Sequence, residues 1–391
     1  MNVKIIRGTN QIGGSAVEIS TDKSRILIDF GAELCDEPSE LYVEGVTSKP
    51  SKCDAIFFSH NHEDHVGLMN TINDDIPLFI GVDAKEIMKM LAKRTHDKMY
   101  NSKVVDRMNT YKVKTPVIIN KEIKVTPYYV DHSAFDAYMF LIEADGKKVL
   151  YTGDFRTHGY IGKGLIPTLK KYIGKVDAII CEGTTIGGDN THSSISENEL
   201  KNQIAKVINE NKYVFVMCAS TNIYRIAGIC SVVPRGKYLL MDSFEKKVVE
   251  YVKEKHLQDS LLYEFKKALV YSDKIEDRYK ERVFVMFIRQ NDRSKEIMNK
   301  FVDAKVIYSM WHGYLDKKNI DRPTIREWLG NKEIIELHTS GHADKEAIKS
   351  VIEVTRPDKV IPIHTEHKES FIELVGAEHY VDAEDNNTIN I

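Results

Sequence analysis

The sequence predicts an α/β protein in which a unit of short β-strands is interrupted by a second unit with a parallel, doubly wound sheet. Three observations lead to this fold class. Short β-rich segments separated by turn residues extend to about Cys181, and continuous apolar strands such as AIFF at 55–58 indicate sheets that are covered on both faces. Between about 194 and 332, helix patterns alternate with strand patterns.

The strands expected in the first part carry mainly apolar and β-branched residues and are bounded by turn residues. They span 3–7, 16–20, 25–29, 55–58, 123–129, 138–143, 148–151 and 177–181. A helix over 85–94 is expected to form part of a covering layer. We therefore expect residues 1–193 to form the first part of one domain.

The alternating part predicts helices over 197–209, 223–232, 245–254 and 295–302 and strands over 214–219, 238–242, 283–288 and 305–309. After Glu336 the first pattern returns, with a strand leading into HTSGH, a helix over 345–355 and a strand leading into IPIH. No linker rich in Gly, Ser or Pro separates the two patterns. We therefore expect 194–332 to be a domain inserted into the first one, which continues over 333–391.

Composition excludes several classes of protein. The 391 residues are 42% hydrophobic and 29% charged, which is typical of a folded globular protein and not of a disordered one. No apolar run reaches the ~18 residues of a membrane span, and the amino terminus has no signal-peptide pattern, so we expect a cytoplasmic protein without membrane partners. The net charge is −3, so any nucleic-acid site must be a local patch.

The five cysteines are odd in number, widely spaced and free of any CxxC motif. This pattern argues against a disulfide framework and against a cysteine zinc site. We expect all five to be reduced and buried in packing roles.

One segment contains an unusual density of metal-binding side chains. SHNHEDH at 59–65 follows the apolar strand directly and places His60, His62, Asp64 and His65 within six positions. Imidazole and carboxylate groups suit Zn²⁺ and related divalent metals. A solvated polar loop is the alternative, but such a loop rarely contains HxHxDH.

Three further candidates also follow predicted strands. They are His132 in VDHSAFD, Asp154 in YTGDFR and His364 in IPIHTEH. Each alone is a weak indication, because a single histidine after a strand is usually a surface or capping residue and Gly-Asp is usually a turn. Together with HxHxDH they supply the further ligands that a second metal would need.

This chain order resembles that of the metallo-β-lactamase fold, an αββα sandwich whose hydrolases carry Asp, HxHxDH, His, Asp and His. The resemblance implies two Zn²⁺ ions per chain. One would be held by His60, His62 and His132, the other by Asp64, His65 and His364, and Asp154 would bridge them. Asp29 in ILIDFG would lie behind the ligands and orient a ligand imidazole.

The region between Asp154 and His364 is far longer than a minimal hydrolase of this fold needs, and it resembles the β-CASP nucleases, RNase J above all. Glu182 in IICEGT, His342 in TSGHAD and His364 resemble the motifs A, B and C of that group. Artemis-type DNA nucleases typically lack the motif C histidine, so the resemblance favours RNA as substrate. It implies that 194–332 is a β-CASP domain.

The implied reaction is hydrolysis of RNA by hydroxide held between two zinc ions. Asp64 would also keep the nucleophile aimed, and His342 would protonate the leaving oxygen. Glu182 would orient a histidine of the motif B or C loop, with a plain acidic residue at a strand end as the alternative. Ser220, Thr221, Asn222 and Ser340 are candidate substrate-binding residues.

Other functions stay open at this stage. A DNA nuclease, a small-ester or lactone hydrolase and an inactive scaffold all occur on this fold. The mode of cleavage can be endonucleolytic, 5′-exonucleolytic or both. The oligomeric state is also open, and a homo-oligomer is one possibility. The complete ligand set and the long insertion favour a zinc-dependent ribonuclease.

Overall fold

The computed structural model describes residues 1–35, 39–95, 99–187, 194–265, 268–281, 283–318 and 322–391. These residues form two compact units. The first contains 1–157, 161–193 and 341–391, and the second contains 158–160 and 194–340. The second unit therefore interrupts the first along the chain.

The first unit contains a seven-stranded mixed sheet with the strand order β19-β1-β2-β3-β4-β5-β6. Strands β1 to β3 are antiparallel and β3 to β6 are parallel, while β19 pairs antiparallel with β1. The strands are β1 (Asn2–Arg7), β2 (Ala16–Ser20), β3 (Arg25–Ile28), β4 (Ala55–Phe57), β5 (Leu78–Ile80), β6 (Asn109–Thr110) and β19 (Thr388–Asn390).

A second, six-stranded sheet belongs to the same unit and has the order β18-β11-β10-β9-β8-β7. Strands β7 to β10 form an antiparallel meander, and β10, β11 and β18 are parallel. The strands are β7 (Val117–Ile119), β8 (Ile123–Val130), β9 (Ala137–Ala144), β10 (Lys147–Tyr151), β11 (Ala178–Glu182) and β18 (Lys359–Ile363).

The two sheets pack face to face, and helices cover both outer faces. Successive side chains of a strand point to opposite faces, so a strand buried on both sides is apolar throughout. In β3, for example, Ile26 and Ile28 join the core between the sheets, whereas Leu27 packs under the helix layer. The predicted αββα sandwich is confirmed, and its continuous apolar strands have the predicted cause.

The helices of the first unit are short apart from two. On one outer face, Ala84 and Met88 share a core with Leu27, and on the other face, Ile348 and Val351 share a core with Ile179. The helices are α1 (Glu63–Val66), α2 (Val82–Thr95), α3 (Ser102–Arg107), α4 (Leu165–Thr168), α11 (Lys345–Thr355) and α12 (Ile372–Val375). A π-helical turn, Leu169–Ile173, follows α4 directly.

The second unit contains a six-stranded sheet that is parallel throughout, in the order β14-β13-β15-β12-β16-β17. Its strands are β12 (Tyr213–Met217), β13 (Lys237–Met241), β14 (Leu269–Val270), β15 (Val283–Ile288), β16 (Lys305–Tyr308) and β17 (Ile334–Glu336). Its helices are α5 (Glu197–Glu210), α6 (Ile223–Val232), α7 (Ser243–His256), α8 (Glu276–Glu281), α9 (Asp292–Asn299) and α10 (Ile325–Leu329). The alternation of helix and strand confirms the predicted α/β architecture.

Three details differ from the expectations. Helix α9 begins three residues before the predicted 295–302, because Asn291 caps it by accepting a hydrogen bond from the Ser294 backbone. The second unit extends to Ser340 and not to 332, because β17 pairs with β16. No disulfide joins the five cysteines, but Cys35 is exposed, so its predicted burial is wrong.

Helices long and apolar enough to cross a membrane are absent from the described part of the chain.

Candidate metal centre

The candidate site residues of the first unit all follow the carboxyl ends of strands. Asp29 follows β3, the segment 59–65 follows β4, His132 follows β8, Asp154 follows β10 and His364 follows β18. Since β8, β10, β11 and β18 point the same way, their carboxyl ends lie at one edge of the sheet. The fold thereby brings together side chains that are up to 300 positions apart in the sequence, as in the contact of Asp64 with His364.

One group of converging ligands consists of His60, His62 and His132, with ligand atoms within 4.8 Å of one another. The Nε2 atom of His132 lies 3.1 Å from Nδ1 of His62. The Nε2 atom of His60 is buried and has no hydrogen-bond partner. A buried polar atom without a partner is costly, and a bound cation would satisfy it.

A second group consists of Asp64, His65, Asp154 and His364, also with ligand atoms within 4.8 Å. Nε2 of His364 lies 3.0 Å from Oδ2 of Asp64, and Nε2 of His65 lies 3.2 Å from Oδ2 of Asp154. The same Asp154 oxygen is 3.8 Å from Nε2 of His60 and 3.7 Å from Nε2 of His132. Asp154 therefore lies between the two groups.

Four of these histidines use Nδ1 to contact the protein, and their Nε2 atoms are the ones placed within the two groups. Nδ1 of His65 donates to Asp29 at 2.8 Å, and Nδ1 of His132 donates to the Gly341 carbonyl at 2.6 Å. Nδ1 of His60 contacts the Ser59 hydroxyl at 3.0 Å, and Nδ1 of His364 contacts the Thr184 hydroxyl at 2.7 Å.

Metal-binding histidines almost always hydrogen-bond through their second nitrogen, which fixes the tautomer and the ring orientation. This pattern, the unsatisfied nitrogen of His60 and the mixed imidazole and carboxylate donors all fit Zn²⁺. The residues present therefore suit the metal that the fold implies.

Asp29 is fully buried and accepts three hydrogen bonds besides that from His65, from two residues. Its Oδ1 accepts from the Ser59 backbone at 2.7 Å, and its Oδ2 accepts from the Ser59 hydroxyl at 2.8 Å and the Tyr151 hydroxyl at 2.7 Å. It therefore fixes the ring of His65 and the residue that precedes His60. These contacts fit the orienting role expected of Asp29, which stays a prediction.

Backbone strain and close packing also occur beside the candidate ligands. Asp29 and His364 have the left-handed φ values 58° and 55°, which cost of order 1–3 kcal/mol each in a residue with a side chain. A Cβ on Gly31 would lie 1.7 Å from the Asp64 carbonyl oxygen, so only glycine lets this loop approach α1. The structure holds Asp64 and His65 against β3 by this close contact.

The electrostatics of the two groups differ. Burial and the neighbouring histidines lower the pKa of His60 and His132 well below the ordinary value, and burial lowers the pKa of His62 to about 4. These three rings are thus neutral, as ligands must be. Burial opposes the ionisation of Asp64 and Asp154, but the adjacent histidines outweigh it and lower both pKa values.

His342 lies beside the second group and pairs with Glu182. Its Nδ1 is 3.0 Å from Oε2 of Glu182 and 3.7 Å from Oδ2 of Asp154. Burial lowers the pKa of His342, but the charges of Glu182 and Asp154 outweigh it and raise the pKa to about 9. Glu182 is itself fixed by the Phe155 backbone N–H, which donates to its Oε1 at 2.8 Å.

The geometry also permits a different division of roles. A third group has ligand atoms within 4.8 Å of one another and consists of Asp154, Glu182, His342 and His364. His342 could therefore bind a metal as well as contact a substrate.

Two functional contacts were missed by sequence reasoning. The Thr184 hydroxyl lies 2.7 Å from Nδ1 of His364 and 3.1 Å from Nδ1 of His342, so it joins the two motif histidines. Its position two residues after Glu182, at the end of the same strand, was the available signal. The Gly341 carbonyl contributes through its backbone and leaves no side-chain signal in the sequence.

The remaining candidates lie in the second unit. The Ser220 hydroxyl donates to Oε1 of Glu245 at 3.1 Å, and the Asn222 side chain caps α6 by accepting from the Arg225 backbone at 3.2 Å. The Ser340 carbonyl accepts from His158 at 2.8 Å. These contacts supply structural roles for Ser220 and Asn222, and a phosphate at this loop stays a prediction for these two residues and for Thr221.

We expect Asp29→Asn to weaken metal binding by about 10- to 100-fold without unfolding the protein, because an amide cannot accept all the hydrogen bonds that the carboxylate accepts. Competition with a zinc chelator measures this directly. Asp145→Asn, a change at a half-exposed carboxylate of the same unit, should leave metal affinity unchanged. Equal affinity in both variants would contradict the orienting role of Asp29.

Comparison with known proteins relates two parts of the chain to known domains. Residues 24–215 match the model of the β-lactamase superfamily domain, and residues 331–384 match that of the RNA specificity domain of Zn-dependent metallo-hydrolases. Ribonuclease J of Mycoplasma pneumoniae is 22% identical to the chain, with 92% of this chain and 67% of that protein covered. An RNase J-like protein of Methanocaldococcus jannaschii is 29% identical, with 46% and 42% covered.

The chain thus spans about two thirds of the bacterial relative and less than half of the archaeal one. Among solved structures, a protein of unknown function from Enterococcus faecalis V583 shares the fold, with a TM-score of 0.74, 20% identity and 99% of both chains covered. The buried His and Asp groups and the two matched domains lead to one conclusion. The chain contains a β-lactamase superfamily domain and an RNA specificity domain of Zn-dependent metallo-hydrolases, and it resembles the RNase J-like β-CASP group.

Proposed function

We propose that this protein hydrolyses phosphodiester bonds of RNA with two zinc ions bound in the metal centre. The observation that carries the proposal is the convergence of two buried ligand groups around Asp154, next to the His342–Glu182 pair. The match to an RNA specificity domain and the similarity to ribonucleases J support RNA as the substrate. A cytoplasmic location and a homo-oligomer stay predictions.

In this proposal one ion would be held by His60, His62 and His132, the other would be held by Asp64, His65 and His364, and Asp154 would serve as a ligand to both. The ions, when bound, supply Lewis acids that lower the pKa of water and neutralise charge developing on the phosphodiester. Hydrogen bonds to their Nδ1 atoms keep the ligand rings in place, and the partners are Asp29, Ser59, Thr184 and the Gly341 carbonyl. Asp64 would additionally accept a hydrogen bond from the attacking water.

His342 would act as the general acid. Glu182 accepts a hydrogen bond from its Nδ1, which orients the ring and favours the protonated form. The Nε2 nitrogen would then donate a proton to the 3′-oxygen that leaves the phosphorus. In this role Glu182 positions the acid and does not contact the substrate.

The substrate class can be tested with two probes. We expect the purified protein to cleave 5′-labelled RNA and to leave a chromogenic ester uncut, and to lose RNA cleavage when a chelator removes the metal. Single-stranded DNA of the same sequence should be cut more slowly. Rapid ester hydrolysis with no RNA cleavage would identify a small-molecule hydrolase, and a metal-loaded protein inactive on every probe would favour a scaffold.

The Ser220 loop yields a further expectation about 5′ ends. If backbone N–H groups at the start of α6 and the hydroxyls of Ser220 and Thr221 bind a terminal phosphate, RNA with a 5′-monophosphate should be cut faster than RNA with a 5′-hydroxyl. Losing one charge-assisted hydrogen bond costs ~1.5–3 kcal/mol, so Ser220→Ala with Thr221→Ala should reduce that preference several-fold or more.

The contact between Ser220 and Glu245 must open for a phosphate to bind there, because the hydroxyl donates to that carboxylate. A Ser231→Ala variant serves as the control, since the Ser231 hydroxyl lies on α6 and donates a hydrogen bond to a carbonyl of that helix. Equal rates on both 5′ ends, in the unmodified protein and the double variant alike, would reject the phosphate pocket and favour internal cleavage.

A further inference from the structure

An exposed surface of the first unit combines lysines with an aromatic ring. Four exposed residues form this surface, which we call the lysine–tyrosine strip: Lys114, Lys170, Lys171 and Tyr172. Nζ of Lys114 lies 4.4 Å from the centre of the Tyr172 ring, and Nζ of Lys171 lies 5.2 Å from it. Two segments about 57 residues apart in sequence thus place their cations on one aromatic side chain.

The strip is positively charged in a protein whose net charge is −3. The stretches 111–121 and 162–176, which supply it, contain seven lysines and no Asp or Glu. Within the described residues, no ion pair joins Lys114, Lys170 or Lys171 to a carboxylate. The pKa of Tyr172 is lowered because Lys171 and Lys114 hydrogen-bond to its hydroxyl, which agrees with a locally positive surface.

The fold holds Tyr172 in place rather than leaving it on a loose loop. Tyr172 belongs to the π-helical turn Leu169–Ile173, whose Leu169 and Ile173 are buried. Its ring packs 6.0 Å from that of Tyr128 on β8, and the Lys114 backbone donates to the Pro127 carbonyl of the same strand. Both parts of the strip are therefore fixed against β8.

Strand β8 also connects the strip with the metal centre. His132 follows Tyr128 by four positions, which is a distance of about 13 Å along an extended chain. A flexible polymer with a regularly charged backbone could occupy both places at once. A single small substrate could not.

We propose that the lysine–tyrosine strip binds single-stranded RNA away from the metal centre, with phosphates on the lysines and a base stacked on Tyr172. Single-strand binding surfaces combine cations that follow the backbone with aromatic rings that accept any base. The inference rests on the proposed function, because it names a second contact for the same RNA. It goes beyond that function by assigning a site outside the metal centre.

The first experiment measures binding without cleavage. Fluorescence anisotropy of labelled poly(U) of about twenty nucleotides is recorded with a chelator present and across a series of salt concentrations. Tyr172→Ala should weaken binding about fivefold or more, and Tyr172→Phe should retain it, because phenylalanine also stacks. Lys114→Gln with Lys171→Gln should lower the slope of log affinity against log salt by about 1.4, as expected for two lost phosphate contacts.

Matched controls carry the same changes elsewhere on the unit. Lys49→Gln with Lys52→Gln removes two exposed lysines that contact Asp75 and Glu44, and Tyr42→Ala removes a ring that is 74% exposed. These controls should bind RNA like the unmodified protein. Thermal unfolding of each variant verifies that the fold is intact.

The second experiment measures cleavage against RNA length. The strip variants should raise KM several-fold for an RNA of about twenty nucleotides and leave it unchanged for a dinucleotide, which is too short to reach both places. Crosslinking of 4-thiouridine RNA should label the peptide that contains Tyr172.

The inference is overturned if strip and control variants lose the same affinity, or if polyglutamate displaces the RNA as well as unlabelled poly(U) does. The second result would identify a docking site for acidic protein segments. If the protein binds RNA through the strip but cleaves none, the proposed function is rejected and the inferred RNA-binding role of the strip is retained. If it cleaves RNA with no dependence on the strip, the strip alone fails.

Discussion

His62→Ala is expected to lose bound metal and to reduce RNA cleavage by more than about 100-fold. His62 is one of three imidazoles in the first ligand group, and its Nδ1 faces Nε2 of His132 at 3.1 Å. Changes at residues that merely orient a ligand typically cost 10–100-fold in metal affinity or activity, so removal of a ligand itself should cost more. Elemental analysis and cleavage of labelled RNA measure the two effects.

The matched control is His379→Ala, which removes an exposed histidine of the same unit. It should leave metal content and activity unchanged. Because burial lowers the pKa of His62 to about 4, the ring is neutral at pH 7, and its loss removes a donor and not a charge. A His62→Ala protein with the full metal content and unaltered cleavage would refute the assignment of the first metal site.

His342→Ala should separate chemistry from metal binding. We expect kcat for RNA to fall by about 10²- to 10⁴-fold, the scale of a lost general acid, while metal content stays the same. The reason is geometric, since Nδ1 of His342 is held by Glu182 at 3.0 Å and two ligand groups are complete without it.

Glu182→Gln provides a graded comparison, because the amide retains the shape of the side chain but loses its charge. It should reduce kcat less than His342→Ala does, and thermal unfolding should show an intact fold. Loss of about one metal ion per chain in His342→Ala would mean that His342 is a ligand, as the third group of residues permits. The division of roles between His342 and His364 would then be wrong.

Much of the fold followed from local sequence patterns. Helices α6 and α11 and strand β15 begin and end where the apolar periodicity and the flanking turn residues place them. The short edge elements were missed for a physical reason. Strand β6 has two exposed residues, and β19 forms only by pairing with β1, nearly 390 positions away. Such strands depend on partners that no local window contains.

The candidate metal centre could also be predicted in part, because some of its residues are close together in the sequence. HxHxDH concentrates its ligands within one loop and its adjoining helix, so their chemistry is visible without a fold. The contacts that tune them are tertiary. Thr184 meets His364 across 180 positions, and the Gly341 carbonyl meets His132 across 209. The left-handed backbone of Asp29 and His364 also depends on the packed sheets and has no signal in residue type.

The central claim is that bound metal makes this protein an RNA hydrolase, and one titration tests it most directly. Metal is removed from the full chain by a chelator, the chelator is dialysed away, and zinc is returned in steps while cleavage of 5′-labelled RNA is recorded. We expect no cleavage without zinc and a rate that rises to a plateau at about two equivalents per chain, as two ligand groups require. Full cleavage by the metal-free protein, or none at any amount of zinc, would contradict it.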